Sequence, residues 1–512
     1  MIIVYHLHTA VTTIAYKDGA INGYSGKSIV QTLKSVASQF PEELVVWCSE
    51  KVKDVLDVDN ISNLVHHNSM FVSYQPNGNY LGSKIGYVDE SPFINVNKEV
   101  VYPTWQMSSL VGATSASVLN QIDDAFYQEH DFDYFLNSVA KTYMPLGLLC
   151  YSEPKLLKEA VSVSSTFASH KTLFRFVKTH YKNVWIGFLL LNTFMYEKQF
   201  LLFSFLNALF VSKPGHKNLK LSVSVASSKS IITNKTIDVI IPTLGRKKYL
   251  YDVLLDLKKQ THLPKKVIIV EQNPLPDSVS DLDYITKEEW PFEIDHTFTH
   301  VTGACNARNL ALSKVTSEWV FLNDDDNRFE ANLLEEAFNR IKQYSTKVLM
   351  ASYVKPHEEK VYQVNFQAPF FGSGNSFMKC ELLKKVKFNK ALEFGYGEDT
   401  EFGLQLRNIG EDAIYFADLD IIHLNAPSGG FRTKFVHEWD ADQLQPKPSP
   451  TVMYVRKKYS TQEQLNSYKT TLLLKYYKDQ SIKNVITYYK TFQKMWERSI
   501  FWAQQLDKRN EV

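Results

Sequence analysis

Three consecutive aspartates, Asp324, Asp325 and Asp326, follow an apolar segment, 319–322, that has the composition of a buried strand. In an open α/β sheet, ligands bind outside the carboxyl ends of the strands, so acids at this position would stand at the mouth of a pocket. Their mutual repulsion requires a cation, and carboxylate oxygens select Mg²⁺ or Mn²⁺, which could clamp a diphosphate. The alternative is that these acids cap the helix predicted over 330–342.

A second acidic pair, Glu398 and Asp399, precedes a helix predicted over 400–408. A carboxylate there could be the general base that deprotonates a hydroxyl nucleophile. Acids at the start of a helix also stabilise its dipole, and both roles stay open at this point. His423 follows the apolar stretch 414–422 and is either a structural histidine or a metal ligand.

Two further polar segments follow predicted strands of the central region. Thr243 and Arg246 come after the first strand, and both could reach a nucleotide. Glu271 ends the second strand, where a carboxylate can accept hydrogen bonds from a base or ribose, or cap the loop. Alone, each segment also fits an ordinary strand-turn-helix.

Two further segments are expected near the acid run, one on a helix and one in a glycine-rich run. Arg308 and Asn309 belong to the helix that precedes the acid strand, so they are expected to face the same region. Gly374 and Asn375 lie in a glycine-rich run, and glycines permit the backbone to approach a ligand closely.

Strand and helix patterns alternate through the central region, which predicts a largely parallel α/β sheet. The predicted strands are 237–241, 266–270 and 318–322, and the predicted helices are 249–259 and 305–314. A polar Ser- and Lys-rich segment and a Pro-rich segment (445–450) interrupt these patterns. They divide the chain into an N-terminal α/β domain (1–211), a linker (212–236), a central domain (237–435) and a C-terminal helical region (436–512).

The N-terminal region contains a weak echo of the central one. The matching segments are 33–47 with 257–270, and 154–158 with 380–384, at nearly the same offset. The echo predicts that 1–211 is a degenerate copy of the central fold, unless two ordinary helix-strand units match by chance. Asp131 and Asp133 are not expected to form a site, because they follow polar residues rather than an apolar strand.

Composition excludes several functional classes. The 512 residues carry a formal net charge of +2, which gives no support to a nucleic-acid-binding protein. Four cysteines without a CxxC pair exclude a zinc ribbon and a disulfide framework, and they fit a reducing cytosol. The first residues, MIIVYH, lack a basic segment before the apolar ones and predict a strand rather than a signal peptide.

Two apolar segments, 184–196 and 200–211, raise the question of a membrane. Neither reaches the roughly 20 residues needed to span a bilayer, and charged residues separate them. They predict two buried or hairpin helices, or else an interfacial hairpin aided by the basic-aromatic stretch 171–178. The tail from 434 to 512 has 14 basic and 8 acidic residues, so it either packs as a solvated face or meets a membrane or acceptor.

Taken in order, the central segments resemble the family 2 glycosyltransferases with a GT-A fold. The resemblance covers roughly 237–432 and is carried by IIPTLGR (240–246), VEQN (270–273), ACNARN (304–309), FLNDDDN (321–327), GSGNSF (372–377) and GYGEDTEF (395–402). It implies a Rossmann-like domain that transfers a sugar from a nucleoside diphosphate sugar with inversion. The QxxRW signature of processive relatives is absent from the sequence, and no spanning helix is predicted, so addition of one or a few sugars is favoured.

The resemblance also implies roles for the candidate residues. Asp399 would be the general base, with Glu398 beside it. Mn²⁺ or Mg²⁺ would be held at the diphosphate by Asp324, Asp326 and His423, although which of the three aspartates binds the metal stays open. The residues implied to bind the nucleotide sugar are Pro242, Thr243, Arg246, Glu271, Arg308, Asn309, Asp324, Asp325, Gly374 and Asn375.

The resemblance further implies a UDP-sugar donor and a glycan or lipid-linked acceptor, in bacterial surface polysaccharide or lipid-linked glycan synthesis. The expected location is cytoplasmic, with peripheral contact at the inner face of the plasma membrane and homo-oligomerisation left open. A sugar nucleotidyltransferase competes with this interpretation, but IPTLGRKK offers one glycine where a triphosphate loop needs several. A non-catalytic scaffold with a transferase-like fold is the other competitor, and it is favoured for 1–211.

Overall fold

The computed structural model describes residues 1–17, 19–164, 166–213, 219–427 and 435–510. The chain divides into two compact units, one of Met1–Lys229 with Ser460–Thr471 and one of Ser230–Tyr459 with Leu472–Val512. The division falls within the predicted linker, of which 214–218 lie outside the described residues. The other predicted domain limits stay predictions, and 428–434, next to the expected boundary at 435, also lie outside the description.

The first unit is built on an eight-stranded mixed sheet. Its strands are Ile2–Leu7 (β1), Ala10–Tyr16 (β2), Gly19–Ala20 (β3), Leu44–Ser49 (β4), Met70–Tyr74 (β5), Tyr102–Pro103 (β6), Val111–Ser115 (β7) and Leu149–Ser152 (β8). Its helices are Ile29–Gln39 (α1), Val58–Leu64 (α2), Ala116–Leu119 (α3), Phe132–Tyr143 (α4), His170–His180 (α5), Val184–Glu197 (α6) and Leu202–Leu209 (α7). The strand order is β3-β2-β1-β4-β7-β5-β8-β6.

Buried apolar side chains hold this sheet together. β1 and β4 are central strands whose residues are mostly buried, as expected for strands covered on both faces. Trp47 on β4 is fully buried, and its indole N–H donates to the Ser108 carbonyl oxygen at 2.9 Å. The helices α1 and α4 add Leu33 and Phe135 to the same core.

The second unit is built on a nine-stranded sheet. Its strands are Ile237–Leu244 (β9), Lys266–Gln272 (β10), Glu293–Thr299 (β11), Trp319–Asn323 (β12), Asn327–Arg328 (β13), Val348–Val354 (β14), Phe366–Gln367 (β15), Asn375–Lys379 (β16) and Ala413–His423 (β17). The helices of the rest of the chain are Lys247–Lys258 (α8), Tyr284–Lys287 (α9), Ala304–Leu312 (α10), Leu333–Tyr344 (α11), Glu398–Asn408 (α12), Pro450–Tyr459 (α13), Gln462–Lys478 (α14) and Val485–Asn510 (α15). The strand order is β11-β10-β9-β12-β16-β14-β17-β13, and β15 also pairs with β17.

The register of this sheet gathers distant segments at one edge. β10, β9 and β12 run parallel to one another, so their carboxyl ends meet at that edge. β16 is antiparallel to β12, and Asn375 pairs with Asn323, which brings the glycine-rich run beside the acids. The short β13 pairs with β17, and Asn327 lies opposite His423. Two local pairings therefore place His423 and the glycine-rich run beside the three aspartates.

The elements predicted for the central region are present within a few residues of their expected limits. The main differences are at helix starts, since α11 begins at Leu333 rather than 330, and α12 begins at Glu398 rather than 400. The start of α12 at Glu398 places both acids of the pair inside the first helical turn. The acid run does not cap α11, because a strand, β13, and a short loop intervene.

The apolar segments near 200 form the two expected helices, α6 and α7. The expectation that they are buried is wrong for one face, because Phe203 is 83% exposed and Phe210, just beyond α7, is 89% exposed. The basic-aromatic stretch 171–178 lies in α5, whose apolar residues are buried, so its aromatic rings are not available to a membrane. Among the described helices, none combines the length and the apolar character needed to cross a bilayer.

Candidate active site

A cavity of about 410 Å³ opens at the carboxyl ends of β9 and β12, the position expected for ligand binding in this kind of sheet. Most of the predicted site residues line it. Those residues are Pro242, Thr243, Arg246, Arg308, Asp324, Asp325, Asp326, Gly374, Asn375, Glu398, Asp399 and His423. The six ordered segments of the sequence therefore converge on one cavity.

Asp324, Asp326 and His423 form a group that could hold a divalent cation. One ligand atom from each residue lies within 4.8 Å of the others. The Asp326 carboxylate is buried, and its Oδ1 has no hydrogen-bond partner, while its Oδ2 accepts from the Ala426 N–H at 2.8 Å. A buried carboxylate oxygen without a donor is costly unless a cation satisfies it. These oxygen and imidazole donors suit Mn²⁺ or Mg²⁺.

His423 is fixed on this group by packing and by charge. Its Nε2 lies 3.3 Å from Asp326 Oδ1, and its ring stacks on Tyr353 with 4.5 Å between the ring centroids. Burial opposes ionisation of Asp326, but the adjacent His423 imidazole and the hydrogen bond from the Ala426 N–H outweigh it, so the pKa of Asp326 is lowered. The lowered pKa keeps Asp326 in the charged form that a metal requires.

Asp325 has a different environment from its two neighbours. Its carboxylate accepts the Thr243 hydroxyl at 2.6 Å and the Arg246 guanidinium at 2.7 Å. Burial raises the pKa of Asp325 to about 6, against the lowering effect of Arg246. Asp325 therefore orients Thr243 and Arg246, and it is not a member of the group that Asp324, Asp326 and His423 form.

Asp324, which belongs to the same group as Asp326 and His423, is held by two hydrogen bonds. Its Oδ1 accepts from Arg308 at 3.0 Å, and its Oδ2 accepts the Tyr353 hydroxyl at 3.0 Å. Gly374 passes so close that a Cβ there would lie 2.1 Å from Asp324 Oδ2. The glycine at 374 is therefore required by the approach of its backbone to the acid.

Asp399 and Glu398, which also line the cavity, open α12 after Gly397 with a φ of 107°. Asp399 Oδ2 accepts the Ser373 N–H at 3.3 Å, and Asp399 Oδ1 is buried without a hydrogen-bond partner. Burial raises the pKa of both carboxyls, and the charge of Asp399 adds to the rise at Glu398. Arg308 counters the rise at Asp399. A buried carboxylate with a raised pKa and an unused oxygen fits a general base.

Three hydrogen bonds to side chains of α13 hold the start of α12. The Tyr396 N–H donates to the Thr451 hydroxyl at 3.1 Å. The fully buried carboxylate of Glu401 accepts the Tyr459 hydroxyl at 2.7 Å and the Lys458 ammonium at 3.1 Å. The C-terminal region thus contributes to the placement of Asp399, through the helix that carries it.

Several functional residues escaped the sequence reasoning. Glu393 caps the start of α10 by accepting the N–H groups of Cys305 and Asn306, and Gln272 accepts the Gly303 N–H at 2.6 Å. The remaining unpredicted residues that line the cavity with polar side chains are Thr302, Tyr353, Ser373 and Asn425. Gln272 lies in VEQN and Ser373 in GSGNSF, so membership of these segments is the signal that could have indicated them.

Two predicted binding residues lie elsewhere. Asn309 does not face the cavity, because its amide pairs with the backbone of Phe388 through hydrogen bonds of 2.7 and 2.9 Å. Its role is to hold that loop against α10. Glu271 is buried beside Thr243 in the sheet and lies 2.9 Å from His296 Nε2, while the next residue, Gln272, lines the cavity.

Comparison with known proteins agrees with this geometry. Residues 238–394, under a third of the chain, match the family described as glycosyl transferase family 2. The match supports the predicted GT-A α/β fold of the second unit, which its sheet confirms. It ends before Glu398, Asp399 and His423, so the roles of these residues rest on the geometry.

Two curated proteins are similar to part of the chain. The glycosyltransferase GlyG of Streptococcus pneumoniae serotype 4 is 23% identical over 157 residues, 31% of this chain and 50% of that protein. An uncharacterized glycosyltransferase of Rickettsia bellii is 26% identical over 152 residues, 30% of this chain and 21% of that protein. The chain thus spans about half or less of the length of these relatives. Their names support the prediction of a transferase.

Solved structures of TarS from S. aureus are also similar to part of the chain. One covers 38% of this chain and 37% of that chain, with 23% identity and a TM-score of 0.30. A second, of TarS 1–349 in complex with UDP-GlcNAc, covers 46% of this chain and 70% of that chain, with 18% identity and a TM-score of 0.32.

Proposed function

We propose that this chain is an inverting, metal-dependent glycosyltransferase that moves a sugar from a nucleoside diphosphate sugar to a hydroxyl acceptor. The observation that carries the proposal is the arrangement of two carboxylate groups in one cavity. Asp324, Asp326 and His423 form a group that would hold a cation, and Asp399, in the lining of the same cavity, has a buried oxygen without a hydrogen-bond partner. A cation site for a diphosphate and a separate base for a hydroxyl are the two parts that this reaction needs.

The residues of the chain would divide the work between donor and acceptor. Asp399 accepts the proton of the acceptor hydroxyl as its oxygen attacks the anomeric carbon, on the side opposite the leaving diphosphate. One base and no covalent intermediate give inversion. Asp324, Asp326 and His423 would hold Mn²⁺ or Mg²⁺, which supplies charge stabilisation for the diphosphate leaving group.

Three residues would act around these groups. Arg308 acts on both acids, since it donates a hydrogen bond to Asp324 and its charge lowers the pKa of Asp399. Its positive charge keeps Asp399 available as a base and would also face the phosphates. Thr243 and Arg246, oriented by Asp325, would bind the nucleotide at the end of β9.

A donor screen tests the proposal. The purified chain is incubated with UDP-, GDP- and dTDP-sugars, with and without Mn²⁺, and release of the nucleoside diphosphate is measured. We expect metal-dependent hydrolysis of one donor class, with UDP-sugars tested first. Release of pyrophosphate from a nucleoside triphosphate and a sugar phosphate would indicate a nucleotidyltransferase, and the absence of any nucleotide binding would indicate a scaffold.

For the biological setting we propose non-processive synthesis of a bacterial surface polysaccharide or lipid-linked glycan, at the cytoplasmic face of the plasma membrane. The exposed apolar surface of α6 and α7 supports peripheral contact with that membrane, since Phe194, Phe200 and Phe203 are more than half exposed. Lys182 and Lys198 flank the surface and would favour anionic lipid. Homo-oligomerisation stays a prediction.

A further inference from the structure

The sheet of the first unit repeats much of the sheet of the second. β1, β4, β7, β5 and β8 are neighbours in the same order, and with the same parallel and antiparallel pairings, as β9, β12, β16, β14 and β17. In both, a two-residue strand, β6 or β15, pairs antiparallel with the last of the five. In both, a helix of at least eleven residues, α4 or α12, lies between the third strand of the row and the fifth, and the first unit adds the four-residue α3. The two sheets therefore agree in strand order, in strand direction and in the position of a helix before the fifth strand.

The correspondence extends to a serine and an aspartate. Ser109 lies two residues before β7, and Asp133 is the second residue of α4, just as Ser373 lies two residues before β16 and Asp399 is the second residue of α12. The Ser109 N–H donates to Asp133 at 2.7 Å, as the Ser373 N–H donates to Asp399 at 3.3 Å. The counterpart of the proposed base is thus present in the first unit.

The counterpart of the cation site is absent from the first unit. Ser49 is the last residue of β4 and Glu50 follows it, where Asp324 and Asp325 follow β12, and the Glu50 carboxylate accepts the Thr12 hydroxyl at 2.5 Å. Over the described ranges of the chain, the group around Asp326 is the one set of three acidic or imidazole ligands close enough to share a cation. β1 also pairs with the antiparallel β2, where β9 pairs with the parallel β10. The part of the second unit that would bind the nucleotide therefore has no counterpart among the described residues of the first unit.

A second cavity of about 410 Å³ lies at the ends of β1 and β4 and at the start of α4. Asp131 and Asp133 form part of its wall, and burial raises the pKa of Asp133 to about 6. Lys51 and Gln75 reach it from the strand ends, and Phe167, which is 61% exposed, stands at its rim. Carboxylates and an amide accept hydroxyl donors, and an aromatic face packs on sugar C–H groups. The same lining contains Lys51, His6 and His8 beside the two acids, so neither sign of charge dominates the cavity.

We propose that this cavity is a carbohydrate-binding site that holds one sugar residue of a glycan, without a metal and without turnover. Its ligand is neutral and hydroxyl-rich because the acceptor-facing wall is kept while the cation site is lost. The site would hold a glycan on the first unit, and the proposal does not depend on catalysis by the second.

Binding of the full chain to an array of immobilised oligosaccharides, built from glucose, galactose, mannose and N-acetylhexosamine units, tests the proposal. We expect binding in the presence of EDTA. Asp133→Asn and Lys51→Ala should each weaken it at least tenfold, and Lys51 is exposed, so its variant is expected to fold. Lys158→Ala changes another exposed lysine of the same unit, outside the cavity, and should bind as the unchanged chain does.

Two further measurements separate this site from the central one. Asp399→Asn should keep full glycan binding, and Asp133→Asn should keep the thermal shift that UDP and Mn²⁺ give the chain. Failure of the unchanged chain to bind any glycan overturns the proposal. Equal binding by the Asp133 and Lys51 variants overturns it as well, and loss of binding in Asp399→Asn would place the glycan in the second unit.

Discussion

Adjacent residues of one acidic run have three different environments. Asp325 accepts hydrogen bonds from Arg246 and Thr243. Asp326 has a buried oxygen without a hydrogen-bond donor. Asp324 accepts hydrogen bonds from Arg308 and Tyr353. The sequence predicts that such a run binds a metal but not which acid does so. The difference arises from strand pairing far along the chain, which is not visible in the local pattern.

The metal site gives the first prediction at this scale. Asp326→Asn removes a charge from the cation site while it preserves the shape of the side chain. We expect the affinity for Mn²⁺, measured by calorimetry on the full chain, to fall more than tenfold. His357→Ala is the control, because His357 is exposed and lies outside the cavity. Unchanged Mn²⁺ affinity in Asp326→Asn would contradict the assignment.

The pH dependence of transfer gives the second prediction. A base works only when deprotonated, and burial raises the pKa of Asp399 above its ordinary value. Activity should therefore be present at alkaline pH and be lost as the pH falls through that raised value. Arg308 lowers the pKa of Asp399, so Arg308→Gln should move the acidic limb of the kcat/KM profile to higher pH. An acidic limb that stays in place or moves down would count against Asp399 as the base.

At the scale of elements, the close contact between the glycine-rich run and the acids is testable. Gly374→Ala would push a methyl group into the Asp324 carboxylate, because the two would lie 2.1 Å apart. We expect at least a tenfold loss of Mn²⁺ affinity and of donor hydrolysis, with the circular dichroism spectrum retained. Gly187→Ala, in the exposed part of α6 with no atom within 4 Å of the new Cβ, should leave both unchanged. Full activity in Gly374→Ala would contradict this arrangement.

Strands and helices of the central region were largely predictable, since each has a clear period and a clear break. Local sequence patterns could not show which distant side chains and backbone groups form hydrogen bonds with one another. Glu393 carries no strand-end or motif signal, whereas Gln272 ends β10 within the VEQN segment, and both fix the start of α10 through hydrogen bonds to the N–H groups there. Asn309 was assigned to the ligand because it neighbours Arg308, but it points to Phe388, since adjacent helical residues face different directions.

At the scale of the whole molecule, the sequence similarity between the N-terminal and central regions also fails to indicate which strands correspond. The sequence aligned 33–47 with 257–270, which equates β4 with β10. The sheets instead equate β4 with β12, because both have a parallel neighbour on one side and an antiparallel one on the other. Short apolar strands resemble one another, so sequence matching detected a repeat but placed it on the wrong strand.

The exposed apolar surface of the first unit gives the prediction at this scale. Phe203→Ser with Phe210→Ser should reduce co-sedimentation of the chain with vesicles of phosphatidylcholine and phosphatidylglycerol at least fivefold. Burial of large aromatic side chains in a bilayer interface is the driving force that these changes remove. Val279→Ser with Val361→Ser removes two equally exposed apolar side chains from the second unit and should have no effect. Equal co-sedimentation of both double variants would contradict membrane contact through this surface.

The most direct test of the central claim separates transfer from donor binding in one variant. Asp399→Asn keeps the size of the side chain and removes its ability to accept a proton. We predict loss of sugar transfer by at least a thousandfold, with the affinity for UDP and Mn²⁺ unchanged within about twofold. Residual transfer combined with a loss of nucleotide affinity would contradict the account, because it would place Asp399 in the donor site rather than at the acceptor hydroxyl.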